Sequence, residues 1–144
     1  MPDQQSYSNH TRWYPLFHFV VVPLLLLNFV YSAVMMYREP QYRHAWDIVL
    51  AITLILFALA ARLMVLTVQN RVIRLEERLR YRELLGAEVA AKAFELPASR
   101  MIALRFASDA ELPGLVERTL NGEFEGNKAI KTSIKDWRGD HLRA

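Results

Sequence analysis

Two long apolar stretches alternate with polar ones along the chain, and the second changes character without interruption. Trp13 to Tyr37 is a 25-residue apolar run, and Ala45 to Gln69, AWDIVLAITLILFALAARLMVLTVQ, is another of the same length with Asp47 and Arg62 as its only charges. A transmembrane helix needs about 20 mostly apolar residues, so each run is long enough to cross a bilayer. The second run continues without Pro or Gly into NRVIRLEERLRYRELL, Asn70 to Leu85, where Arg and Glu replace lipid-compatible residues while apolar residues keep a helical spacing. The pattern predicts one continuous helix that leaves the bilayer and goes on in water.

The connection between the runs, REPQYRH from Arg38 to His44, carries Pro40. So short a link predicts an antiparallel hairpin with spans at 13–37 and 45–69. Arg12 before the first span, and Arg71, Arg74, Arg78, Arg80 and Arg82 after the second, outweigh Arg38 and Arg43 in the link. Basic residues stay on the cytoplasmic side, so both termini are expected there. Trp13, Tyr14, Tyr31 and Tyr37 suit interfacial aromatic belts. Pro15 lies near the start of span one, whereas the internal Pro23 is expected to kink it. The polar head holds a single Arg and the apolar run is far longer than a signal peptide's, so the first span is not read as a cleaved leader.

Four polar residues inside the spans stand out: His18, Asn28, Thr53 and Arg62. Pairing residues at equal depth across the hairpin puts Asn28 level with Thr53 and His18 beside Arg62 and Leu63, which predicts an interhelical Asn28–Thr53 hydrogen bond. Arg62 is expected to snorkel to the headgroups. A relay or transport role needs several such groups converging on a water-filled path, which two spans supply only in an oligomer.

Beyond Gln69, Val65, Val68, Val72, Leu75 and Leu79 are spaced three and four apart, a seam of about two heptads. Too short for an autonomous coiled coil, it is expected to pack on the C-terminal helices, the alternative being a twin in a dimer. Glu76–Arg80 at i,i+4, with Arg74–Glu77 and Glu77–Arg80 at i,i+3, form favourable pairs. GAEVAAKAFEL, Gly86 to Leu96, is Ala-rich and can extend the stalk until Pro97 ends it. A helix over about 98–107 follows. Ser108 and Glu111 then form a capping box ahead of a helix with Leu112, Leu115, Val116, Thr119 and Leu120 on its apolar face, closed by Asn121-Gly122. A last helix from Asn127 carries Ile130, Ile134 and Trp137 on one stripe and Lys128, Lys131, Lys135 and Arg138 on another. It is expected to close the small bundle; lying on the anionic leaflet is the alternative.

Charge adds little to this picture. Of 18 basic and 15 acidic residues, 14 and 12 fall after residue 70, a nearly balanced, ion-pair-rich composition rather than a nucleic-acid arm. The helix pair Ser99 to Leu120 has a helix-turn-helix outline, but Asp109, Glu111 and Glu117 against Arg118 would repel phosphate, so no nucleic-acid partner is expected. The absence of cysteine removes disulfides and thiolate chemistry. His10, His18, His44 and His141 form no ligand motif, and His44 with Asp47 supplies at most two metal donors. No phosphate-cradling glycine loop or G-x-S-x-G elbow occurs. No catalytic residue, metal or cofactor is therefore assigned, and the chain is read as non-enzymatic.

SNHTR in the tail, the RxPxYRH link, VIRLEERLRYRELL, ALRFASDAELP and the final IKxWRxDxxR together resemble an uncharacterised bacterial family of small two-span membrane proteins, over nearly the whole chain. The resemblance implies a bacterial cytoplasmic (inner) membrane location and no activity. It directs attention to Arg71 through Arg82, Arg105, Asp109, Glu111, Trp137 and Asp140. The resulting expectation is an all-α protein: a polar tail over 1–12, a transmembrane hairpin over 13–69, and a cytosolic stalk and helical bundle over 70–144. Its function is expected to be that of a membrane-anchored scaffold or accessory subunit that binds a protein partner or its own copies, with Arg71, Arg74, Arg78, Arg105 and Trp137 as the partner surface. The alternative is a subunit of an oligomeric transport or channel assembly with His18, Asn28 and Arg62 facing its axis.

Overall fold

A computed structural model describes residues 6–9 and 13–140. Arg12, His10 and His141, and most of the N-terminal tail, lie outside the described residues. Six α-helices account for most of the rest: α1 Val22–Arg38, α2 Tyr42–Leu84, α3 Ala87–Phe94, α4 Ala98–Leu104, α5 Leu112–Leu120 and α6 Asn127–Ser133. The described residues form no strand beyond one antiparallel bridge, Ala107 with Trp137. The chain falls into two compact units, one over Trp13–Leu66 and one from Thr67 onward.

In the first unit, α1 is preceded by a π-helical turn, Leu16–Val21, in which the Val22 N–H donates to the Phe17 carbonyl five residues back. The turn stands directly ahead of Pro23. A proline ring clashes with the carbonyl four residues before it in an α-helix, and the wider π turn opens that spacing. Leu16–Arg38 and Tyr42–Leu84 are both long and apolar enough to cross a membrane. The large apolar side chains of this unit are mostly exposed, and its two buried residues are the small Ser32 and Ala51. Small side chains of this kind let helix backbones approach closely.

The Asn28–Thr53 bond does not form. The Thr53 hydroxyl donates to the Val49 carbonyl of its own helix at 2.8 Å, Ser32 likewise donates to the Asn28 carbonyl at 2.9 Å, and Asn28 and Thr53 are both exposed. A carbonyl four residues back is always within reach of a helical hydroxyl, whereas a cross-helix partner requires one particular rotation of each helix.

The predicted continuity of the second apolar run is observed: α2 is one 43-residue helix, about twice what a bilayer crossing requires. It stops at Leu84. Gly86, with φ −60° and ψ 149°, is extended, so the Ala-rich segment is the separate helix α3 rather than an extension of the stalk. The residues of α2 that turn inward in the second unit are Ile73, Glu77, Arg80 and Tyr81, all under 9 % exposed. The expected seam is on the other side: Val65, Val68, Val72, Leu75 and Leu79 are 48–61 % exposed and do not pack on the C-terminal helices.

Met101 and Leu104 of α4, Leu112, Leu115 and Val116 of α5, and Ile130 of α6 form one core with Tyr81, Phe106 and Phe124. α5 follows its predicted face closely, with Thr119 also buried, and ends where Gly122 takes φ 76°, a conformation open to glycine at no steric cost. The last helix is shorter than predicted. It ends at Ser133, Ile134 is extended, and Trp137 reaches Phe106 from the Ala107 bridge rather than from a helical stripe. Buried Ile130 and Ile134 and half-buried Trp137 place this segment on the core.

Candidate functional site

The densest polar cluster among the described residues centres on Arg80, about two turns beyond Ile73 on the inward face of α2. Its Nε donates to Asp109 Oδ1 at 2.7 Å, and Nη2, 2.6 Å from the same oxygen, donates to the Ala107 carbonyl at 2.6 Å. Nη1 lies 3.4 Å from Glu77 Oε2. One guanidinium thus joins α2 to the connection between α4 and α5. Its planar fork allows this where a lysine ammonium would not. The partners differ in environment, since the Asp109 side chain is 67 % exposed and that of Glu77 only 5 %.

A second arginine locks the other side of the same connection. Arg105 donates from Nε to Asp140 Oδ2 at 3.0 Å and from Nη1 to the Ile102 carbonyl at 3.1 Å, with its guanidinium 4.2 Å from the centre of the Phe106 ring. A cation over an aromatic face is attracted by the ring quadrupole. Three elements therefore converge on residues 105–111. From the C-terminal side, Arg138 N–H donates to the Phe106 carbonyl at 2.7 Å and Ser108 N–H to the Asp136 carbonyl at 3.0 Å.

The capping box is only half formed. Glu111 N–H donates a long 3.4 Å bond to the Ser108 hydroxyl, but the Glu111 carboxylate accepts from the backbone N–H groups of Lys135 and Asp136, each at 3.0 Å. Those donors would be orphaned where α6 ends, and a carboxylate satisfies two of them at once.

Burial raises the Glu77 carboxyl above its ordinary value, against the opposing pull of Arg80 and, more weakly, Arg138 and Arg105. Burial and then Glu77 push the neighbouring Tyr81 phenol upward, keeping it neutral, and its hydroxyl has no hydrogen-bond partner among the described residues. Beside these groups opens a cleft of about 490 Å³, whose lining includes Glu76, Glu83, Arg138 and Asp140. Each carboxylate of the network already answers an arginine or a backbone donor. The arrangement is suited to holding segments together and to displaying charge at its rim.

The residues singled out from sequence separate into distinct settings. His18 engages its own turn through Nδ1 and the Tyr14 backbone and sits edge-on to Trp13 and Phe17. Arg62 lies 5.8 Å over the Phe17 ring, at one end of an apolar groove of about 240 Å³ lined by residues such as Leu25, Ile55 and Leu59. Asn28 joins neither. Of the expected partner surface, Arg71 and Arg74 are exposed. Arg78 donates to the Phe94 carbonyl at 2.9 Å, Arg105 is buried, and Trp137 donates to the Ile134 carbonyl, so these three hold the second unit together. Of the predicted pairs, Glu77–Arg80 forms and Glu76–Arg80 does not, because Arg80 turns to Asp109. Sequence reasoning singled out Arg105, Asp109 and Asp140 individually but did not find the Arg80–Asp109 and Arg105–Asp140 pairs. They join residues 29 and 35 apart, beyond the reach of local spacing. His44 Nδ1 lies 3.5 Å from Asp47 Oδ2. No group of three metal-ligating His, Asp or Glu side chains occurs among the described residues.

Fold and cluster together define an all-helical protein with two span-length apolar helices and a small helical unit fastened by arginine. The chain belongs to the family DUF6526, a family of unknown function, whose profile matches residues 1–144. No functionally described protein and no solved structure shows significant similarity to it.

Proposed function

We propose that the protein is a membrane-anchored, non-enzymatic scaffold or accessory subunit of the bacterial inner membrane. The apolar helices form the expected hairpin in the bilayer, both termini are cytoplasmic, and the unit from Thr67 onward binds a protein partner. The observation that carries this reading is the change of character within α2. Its first part exposes large apolar side chains on most sides, as lipid-facing helices do. Its later part turns one face into a charge-locked core and leaves Arg71, Arg74, Glu76 and Glu83 exposed. A network whose carboxylates are all engaged supports a structural and docking role. The alternative, a transport or channel subunit, draws no support from His18 and Arg62, which engage neighbours in their own chain.

The cysteine-free sequence permits a direct test. Gln41→Cys and Thr132→Cys variants are expressed in bacteria and treated with a membrane-impermeant maleimide. Gln41→Cys is expected to label in cells whose outer membrane alone is opened, and Thr132→Cys only after the inner membrane is breached. Labelling of Thr132→Cys in the first condition would refute the topology. Release of the protein by alkaline carbonate would refute membrane insertion.

A further inference from the structure

The apolar face of α2 opposite its buried one has no partner among the described residues. In the second unit it is formed by Val68, Val72, Leu75 and Leu79, which are 61, 48, 60 and 51 % exposed. At about 100° per residue these four lie on the opposite side of the helix from Ile73, Glu77, Arg80 and Tyr81. The face is therefore not a core stripe that has failed to pack, because the core stripe is already in place elsewhere on the same turns.

The spacing and flanking charges indicate what covers it. Steps of four, three and four are the heptad spacing by which one helix meets another of its own kind. With Val72 and Leu79 at position a and Val68 and Leu75 at d, Arg71 falls at g and Glu76 at e. In a parallel two-stranded arrangement, the g residue of one helix meets the e residue five positions further along its partner. Arg71 and Glu76 are five apart. Both are exposed, and neither makes an ion pair within the described residues. The alternative assignment, with Val68 and Leu75 at a, puts Arg71 and Arg78 at d, in the middle of the seam. Only the first register keeps the seam apolar as far as Leu79. A β-branched Val72 at a followed by Leu75 at d favours two strands over more.

We infer that this face is the interface with a second copy of the same chain, in parallel and in register, with Arg71 of each copy paired to Glu76 of the other. The inference rests on the membrane reading, since two copies inserted with the same topology present their α2 helices parallel and at the same height. It also explains how so short a seam suffices. At Arg82 the next d position carries a guanidinium that stacks 5.5 Å over the Phe94 ring, so the seam ends there. Fewer than three heptads do not hold helices together from dilute solution, but confinement to one membrane replaces a bimolecular encounter with an effective concentration set by tethering.

The test uses the full chain in vesicles of phosphatidylethanolamine and phosphatidylglycerol, after retention has been verified by carbonate washing. Val72→Cys, Leu75→Cys and Arg74→Cys variants are oxidised with copper phenanthroline. Disulfide-linked dimers are expected at least tenfold faster at positions 72 and 75 than at exposed position 74. Equal rates at all three positions would overturn the interface. In the Leu75→Cys background, Arg71→Glu and Glu76→Arg are each expected to slow cross-linking severalfold, and their combination to restore it. Failure of the combination to restore it would overturn the register. Loss of the protein in the carbonate wash would instead overturn the membrane reading, and with it the parallel alignment.

Discussion

Replacing Arg80 with methionine should destabilise the second unit by about 3–5 kcal/mol, the range found when one partner of a buried ion pair is removed. Methionine approximates the aliphatic stem, so what is lost is the guanidinium. At 3.4 Å from Glu77 the gross attraction is roughly 5 kcal/mol at an effective dielectric of 20. Most of it offsets the desolvation of the two charges in the native protein. Once Arg80 is gone, that desolvation is uncompensated at Glu77, whose side chain is 5 % exposed. Asp109, 67 % exposed, regains water and contributes below about 1 kcal/mol. The Ala107 carbonyl loses its 2.6 Å donor. The assay is urea unfolding of the full chain in detergent, followed by Trp137 emission in a Trp13→Phe, Trp46→Phe background. Adding Glu77→Gln to Arg80→Met should recover at least about 1 kcal/mol, since the orphaned charge is then removed. A single-variant loss under about 1 kcal/mol, or a double variant as unstable as the single one, would refute the view of Arg80 as the fastening of this unit.

Two further outcomes follow from the same cluster. The folded state holds the Glu77 proton more tightly than the unfolded chain, so between the ordinary carboxyl value of 4.5 and the raised folded value it binds more protons than the unfolded state. Stability from this group is therefore fully present below 4.5 and is lost as pH rises through the folded value. The difference in urea midpoint between the parent protein and Glu77→Gln, followed over that window, should show this slope, and a slope of opposite sign would contradict the burial argument. Tyr81→Phe removes a buried hydroxyl that has no partner among the described residues, so it should be neutral or stabilise by up to about 1 kcal/mol. A loss larger than that in the same unfolding assay would reveal a partner for the phenol.

How far the fold could be read from sequence depended on how local its causes were. The unbroken α2 was legible because no Pro or Gly interrupts residues 45–85. The inward face of α5 and its stop at Gly122 were legible from spacing and one glycine. The inward face of α2 was not. Five aliphatic residues at heptad spacing outscore a face that contains Glu77 and Arg80 in any pattern of hydrophobicity. Those two charges are buried only because the 105–111 connection brings carbonyls and Asp109 to them. The end of α6 failed for a related reason. Ile130, Ile134 and Trp137 continue a helical stripe, but the N–H groups of Lys135 and Asp136 find a carboxylate 24 and 25 residues upstream, and that competition is invisible in a window of one helix. The Ser108–Glu111 motif misled in the same way, since it specified a carboxylate near a helix start without specifying whose backbone it would serve.

The fastening of residues 105–111 from both sides also sets an order in time. The segment is held by Arg80, made earlier in the chain, and by Asp136, Arg138 and Asp140, made later. As the protein leaves the ribosome, Arg80 is available to this segment as soon as it emerges, whereas the C-terminal partners emerge only after α5 and α6. Until they arrive, the Ser108 N–H and the Phe106 carbonyl lack their strand-like partners and Arg105 lacks Asp140. The helical unit therefore closes late, at residues 134–140, with its earlier half already drawn onto α2.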